Sequence, residues 1–230
     1  MPASPHLQGD IATIIAALAL TSTSDQAANN PENTQPLSFE GEGRAAAGER
    51  CLVVLAGLPG AGKSTFARRL APLIDAVIIE SDVLRRLLFE TPQHAESENK
   101  RLFRAIQAVT LRLLLDKRSV IIDATNLREK HRRPYRDIAA PAGARLQVVH
   151  LTAPENVILQ RLAGRRASPD PHDNSRAYEA VYALLEQQEE APRGPHLRID
   201  TSDPVAIDAA LRKLVDEGRP LSAAGRGGIS

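Results

Sequence analysis

CLVVLAGLPGAGKST, residues 51–65, decides the fold. Cys51–Ala56 is a short apolar run that suits a strand buried on both faces. Gly57, Leu58, Pro59, Gly60, Ala61, Gly62, Lys63 and Ser64, with Thr65 next, satisfy G-x-x-x-x-G-K-[ST] between a strand and a helix. Glycines let backbone N–H groups converge on phosphate oxygens without a Cβ in the way. The helix that starts near Lys63 aims its positive dipole end at the same anion. Lys63 is expected to reach the β- and γ-phosphates of a nucleoside triphosphate, and the Ser64 hydroxyl to ligate Mg²⁺.

Apolar runs recur outward from this stretch at Val77–Glu80, Ser119–Asp123, Leu146–Leu151 and Leu197–Asp200. Helix-type segments lie between them, the longest at Ala95–Asp116, where Leu102, Ile106, Val109 and Leu113 define one apolar face. The others run Ser64–Leu73, Val83–Phe89, Arg128–Ala140, Pro154–Leu162, Ser175–Gln188 and Pro204–Glu217. Strands alternating with helices predict an α/β fold: about five parallel strands with helices on both faces. A domain is expected over 50–217, with a tail of no fixed structure over 218–230.

Residues 1–49 are expected to form a disordered or loosely packed extension, because 21–49 is dominated by small, polar and turn-forming residues. Ile11–Leu20 is apolar, but it is about half the roughly 20 residues that span a bilayer. No Lys or Arg precedes it and Asp10 sits at its edge, so it fits a signal peptide poorly. It reads as a short helix, docked or loose. A net charge of +1 gives no global polycation to coat nucleic acid. Cys51 is the one cysteine, so neither an internal disulfide nor a Cys-rich metal site is available, and the cytoplasm is the expected location.

Three further elements carry chemistry. Asp82 follows the second strand at the sheet edge where ligands bind, as a base for an acceptor hydroxyl or as an N-cap of the next helix. Arg85, one turn on, faces the same way and could hold an anionic acceptor. Asp123 ends the third strand, where it can hold the water shell of Mg²⁺ or form an Asx turn; Thr125 and Asn126 follow. Arg161 and Arg165, four apart on one helical face, could close over a transferring phosphoryl group or complement the helix dipole. Arg166 is a weaker candidate for the same task. Arg128, Arg132 and Arg136 would share a face, as an acidic-substrate groove or as a salt-bridged solvent face. His131 reads as exposed, and Tyr178 and Tyr182 as core rather than as base-stacking platforms.

A phosphate loop followed by strand and Ser81-Asp82-x-x-Arg85 resembles the P-loop kinases that include polynucleotide 5′-hydroxyl kinases and zeta-toxin-like kinases, AAA-type ATP-binding proteins. The likeness spans about residues 51–216. It implies a P-loop NTPase three-layer sandwich with an arginine lid, and ATP as the nucleotide. It implies that Asp82 is the general base and that Arg85 contacts a phosphate of the acceptor. Asp123, Thr125 and Asn126 match an element on the acceptor side, and Arg161 and Arg165 match two lid arginines. The adenine is implied to lie near Asp200, Thr201 and Ser202. A kinase is therefore expected, with a polynucleotide 5′-hydroxyl or a small metabolite as acceptor and no membrane partner. The alternative is a P-loop ATPase or switch without an acceptor, against which the D-x-x-R after the second strand argues. A nucleotide-binding scaffold without turnover would not need the catalytic set.

Overall fold

Every side chain of β1 (Cys51–Ala56) is buried, as a central strand covered on both faces requires. In the computed structural model, which describes residues 5–24, 50–164 and 182–218, β1 pairs in parallel with β3 (Ser119–Asp123) and β4 (Arg145–Thr152). β2 (Ala76–Glu80) lies outside β3, and β5 (Leu197–Asp200) outside β4, so the order is β2-β3-β1-β4-β5. Because the strands are parallel, their carboxyl ends share one edge. The chain leaves β1 toward β2 on one side and leaves β3 toward β4 on the other. That reversal opens a crevice at the carboxyl edge.

Alternation along the strands sorts the core into two layers. Leu52, Val54, Val120 and Ile122 face α3 (Ser81–Leu88), α4 (Glu96–Leu115) and α5 (Glu129–Ala139). Val53, Leu55, Ile121 and Val149 face α2 (Lys63–Leu70) and α7 (Pro204–Gly218). A 3₁₀ turn at Ala71–Leu73 extends α2. The α/β sandwich is thus the one the strand–helix alternation predicts. α6 (Glu155–Gly164) seats Ile158 against Leu58, Leu127 and Tyr182 in a small cluster beside the phosphate loop. Tyr182 is a core residue, as expected, and its hydroxyl donates to Glu186 at 3.1 Å. Tyr178 lies outside the described residues.

Within the 1–49 extension, expected to be disordered or loosely packed, residues 5–24 take the docked of the two alternatives read for Ile11–Leu20, and 25–49 lie outside the described residues. Residues 5–24 form a helix, α1 (Pro5–Ser24), docked on the sandwich. Leu7, Ile11, Ile14, Ile15 and Leu18 recur at helical spacing and pack on the α3–α4 layer, with Ile14 fully buried. Asp10, 5% exposed, accepts from Arg101 Nε at 2.8 Å and Nη2 at 2.7 Å. Arg101 also stands over the Phe89 ring, 5.2 Å from its centre. The apolar face and the two-pronged ion pair outweigh the poor local signal of the segment. No helix among the described residues is long and apolar enough to cross a membrane.

Candidate active site

The loop after β1 is held open by constraints that select glycine. Gly57 has φ 139°, and a Cβ there would lie 2.2 Å from the carbonyl oxygen of Leu151. Gly62, with φ 86°, is the N-cap of α2 and no side chain caps the helix start. First-turn N–H groups without a side-chain cap are donors for an anion. Lys63 Nζ donates to the carbonyls of Gly57 at 3.0 Å and Leu58 at 2.9 Å, folding the ammonium over the loop. The loop is pinned on both sides: Gly57 N–H donates to the Thr125 carbonyl at 3.0 Å, and the Thr201 hydroxyl donates to the Ala61 carbonyl at 3.1 Å.

Two cavities meet at this loop and share Gly62. The larger, about 820 Å³, is bordered by Pro59, Gly60, Lys63 and Ser64 of the loop, and by Asp82, Arg85, Asp123, Thr125 and Asn126. The smaller, about 460 Å³, is bordered by Thr65, Phe66, Arg69, Arg161 and Thr201. Gly57, Leu58 and Ala61 are buried in the loop wall.

Asp82 does not cap α3. The helix begins at Ser81, its N-cap is Glu80, and Asp82 lies inside the first turn. Its carboxylate is exposed and makes no hydrogen bond or ion pair among the described residues. Asp123 is 4% exposed, and its Oδ2 is buried without a hydrogen-bond partner. No Asx turn uses it among the described residues. Glu80 stands opposite Asp123 at the last rung of the β2–β3 ladder. Burial, and after it the charge of Asp123, pushes the Glu80 carboxyl above its ordinary value, while Arg68 pulls against them.

An unpartnered buried carboxylate oxygen and a serine hydroxyl at a phosphate loop fit magnesium, which takes one or two carboxylates plus substrate phosphates rather than an all-protein cage. Among the described residues no group of three or more His, Cys, Asp or Glu could hold a metal by itself. Ser64 and Asp123 are the residues that would hold Mg²⁺ beside a bound nucleotide.

Other expected site residues carry structural bonds. Arg85, 7% exposed, borders the larger cavity, but its guanidinium donates to Glu98 Oε1 at 2.5 Å and Asn99 Oδ1 at 2.7 Å. Asn126, at φ 43°, donates from Nδ2 to the Leu55 carbonyl at 2.8 Å, tying the end of β3 to β1. Arg161 donates to the Gly60 carbonyl at 3.3 Å and to the hydroxyl and carbonyl of Thr201 at 2.8 and 2.9 Å. It therefore clamps the phosphate loop to the turn after β5. Its lid companion Arg165, with Arg166, lies outside the described residues.

Arg132 and Arg136 both pair with Glu129, so the salt-bridged alternative holds for the part-exposed Arg136, whereas Arg132 is buried rather than on a solvent face. Arg132 is 1% exposed and donates to the carbonyls of Asn126, Leu127, Glu190 and Ala191. Lys130 and the exposed His131 border the larger cavity instead. Glu98 was missed by the sequence reading, as were Lys100 and Arg104. The signal for the last two was available, because Glu96, Lys100 and Arg104 repeat every four residues opposite the apolar stripe of α4.

A model of the AAA domain family matches residues 52–192. The chain belongs to the AAA domain family. That membership covers the phosphate loop, Asp82, Asp123 and α6, and it supports a P-loop kinase-like domain without singling out polynucleotide or zeta-toxin-like kinases. The L-seryl-tRNA(Sec) kinase of Methanococcus maripaludis is 31% identical over 115 residues, which are 48% of this chain and 44% of that kinase. The match thus spans less than half of that relative's length. The APS kinase CysC of Mycobacterium tuberculosis, in complex with AMPPNP and APS, superposes with TM-score 0.56 at 22% identity, over 73% of this chain and 96% of the other. A gluconokinase from Sinorhizobium meliloti gives TM-score 0.53 at 22% identity, over 73% and 94%. These two likenesses are of fold, and they place this AAA domain protein on the P-loop NTPase scaffold.

Proposed function

We propose that the protein is a kinase that transfers the γ-phosphoryl group of ATP, with magnesium, to a hydroxyl group of an acceptor. The observation that carries this reading is the exposed, unpartnered carboxylate of Asp82 in the cavity that Lys63 and Ser64 border. A P-loop that only hydrolysed its nucleotide would need a positioned water there, not a cavity of about 820 Å³ with a base on its wall. The names of the relatives support the same class, since each described above is a kinase.

In this reading the nucleotide base occupies the smaller cavity and the phosphates lie along Gly57–Thr65, against the start of α2. Lys63 swings from the Gly57 and Leu58 carbonyls to the β- and γ-phosphates. Magnesium held by Ser64 and Asp123 would supply charge neutralisation on those phosphates. Asp82 accepts the proton of the acceptor hydroxyl as its oxygen bonds to the γ-phosphorus. The bond to the β–γ bridging oxygen breaks, and ADP leaves with that electron pair. Arg161, bonded to the Gly60 carbonyl and to Thr201, holds the phosphate loop in place, and Arg165 is the lid arginine that would add positive charge to the transferring group. Thr125 and Asn126 shape the acceptor side, and Arg85 holds its wall. A cytoplasmic location suits an enzyme that draws on ATP and keeps its cysteine, Cys51, buried in the central strand as a thiol rather than in a disulfide.

The test is transfer from γ-labelled ATP with Mg²⁺ to a mixed pool of hydroxyl compounds and 5′-hydroxyl oligonucleotides, with inorganic phosphate release followed in parallel. Label in an acceptor, dependent on Lys63, supports the kinase. Phosphate release alone, unchanged by the pool, supports an ATPase.

A further inference from the structure

We infer that the acceptor carries a phosphate group, bound on the cavity wall formed by Lys100 and Arg104 of α4 and Lys130 of α5. The inference rests on the kinase reading above and names the substrate class for that site.

The larger cavity is electrically two-sided. Glu80, Asp82 and Asp123 stand at the carboxyl ends of β2 and β3 and the start of α3. The opposite wall comes from α4 and the first turn of α5, where Glu96 is outnumbered by Lys100, Arg104 and Lys130. The core fixes which face α4 presents, because Leu102, Ile106 and Val109 are fully buried against the sheet. Lys100, Arg104 and Gln107 then repeat on the cavity side, and Lys130 and His131 arrive from α5.

Most other cations at this end are committed. Arg85 is bonded to Glu98 and Asn99, Arg132 to four carbonyls, Arg136 to Glu129, and Arg161 to Thr201. Arg104 and Lys130 make no hydrogen bond or ion pair among the described residues, although both border the cavity. Lys100 pairs with Glu96 at 2.8 Å, but the two side chains are 66% and 82% exposed. Such a pair contributes little and exchanges readily.

The local field has the same sign. His131, though solvent-accessible, is held below its ordinary value first by partial desolvation against the cavity wall and then by the charges of Lys130, Arg128 and Arg132, with Glu190 opposing. The Glu96 carboxyl is lowered chiefly by its bond to Lys100, with a further contribution from Lys130, so the charge of Lys130 reaches across to α4. An uncharged acceptor would leave this wall unmatched. An anion placed beside Glu80 and Asp82 would be repelled, so the wall also orients the acceptor: phosphate toward Arg104 and Lys130, hydroxyl toward Asp82. Arg104 can bind phosphate through two parallel N–H donors, with Lys130 as a point charge. A phosphorylated metabolite and the phosphodiester at a nucleic acid 5′ end share this chemistry.

The test is binding by calorimetry to the full chain, with AMPPNP and Mg²⁺ filling the nucleotide site. The probes are glycerol 3-phosphate against glycerol, adenosine 3′-monophosphate against adenosine, and a short 5′-hydroxyl oligonucleotide against its uncharged methylphosphonate form. At least one phosphate-bearing probe is expected to bind about tenfold or more tighter than its neutral partner. The Arg104→Ala, Lys130→Ala double variant should abolish that preference while AMPPNP affinity stays within about twofold. The charge-keeping Lys130→Arg variant should retain it, which separates lost charge from lost fold. A small probe binding alone assigns a phosphorylated metabolite. An oligonucleotide binding tighter, with steep salt dependence, assigns a nucleic acid end. Equal affinity for charged and neutral partners, no binding by any phosphate-bearing probe at about 10 mM, or a preference that survives the double variant overturns the inference. Those results would leave the kinase reading intact, because transfer from ATP is measured separately.

Discussion

The guanidinium of Arg85 and the carboxylate of Glu98 meet at 2.5 Å, with side chains 8% and 9% exposed, and lock α3 to α4 along the wall of the larger cavity. Glu98 also accepts from the N–H groups of Gln93 at 2.8 Å and His94 at 3.1 Å, so one carboxylate fixes both helices and the loop between them. Removing one member of a buried pair leaves the other charged and unpaired, which is strongly destabilising.

A pH dependence follows from this pair. Burial opposes the charge on Glu98, but the bonds from Arg85, Gln93 and His94 prevail and hold its carboxyl below the ordinary 4.5. A lowered acid stabilises the fold above its unfolded value, and that contribution is lost as the pH falls through the folded value. Thermal melts followed by circular dichroism should therefore fall below pH 4.5. Glu98→Gln should lower the melting temperature at pH 7 and flatten the decline in the acid range. Parallel acid profiles for the two proteins would show that the pair does not govern this window.

Docking of α1 predicts a stability change from a residue far from the cavity. Ile14 is fully buried, so Ile14→Ala should cost about 2–5 kcal/mol. For a domain of this size that lowers the melting temperature by roughly 5–15 °C. An unchanged melt would mean that α1 does not pack on the α3–α4 layer.

The first glycine of the loop predicts a backbone effect. Gly57→Ala would set a Cβ 2.2 Å from the Leu151 carbonyl oxygen at φ 139°, so both a clash and torsional strain arise. Loss of about 3 kcal/mol or more is expected, together with loss of ATP binding, read by melts with and without Mg-ATP. A variant as stable as the parent would contradict the loop geometry.

The sheet was legible because its strands are apolar runs: Cys51–Ala56, Ser119–Asp123 and Leu197–Asp200 have the bounds read from sequence. β4 extends one residue further at each end, through Arg145 and Thr152, because polar residues at strand ends carry no apolar signal. The phosphate loop was legible because its chemistry is local. What was hidden depends on partners distant in sequence. Asp10 looked like the edge of a loose segment, yet its partner Arg101 lies 91 residues on. Thr201 and Ala61 are 140 residues apart. Arg132 sits in a basic repeat, and two of the four carbonyls it donates to come from Glu190 and Ala191, 58 and 59 residues further on. Arg85 was read as facing an acceptor because nothing local reveals Glu98 turning back toward it.

Asp82 as the general base is put to the test by single-turnover transfer from γ-labelled ATP, in the parent and in Asp82→Asn, with ATP affinity measured alongside. Asp82→Asn is expected to lose about 10²-fold or more of transfer to acceptor while ATP binds within about twofold of the parent. Undiminished transfer by Asp82→Asn, with the same acceptor and the same ATP affinity, would contradict that role.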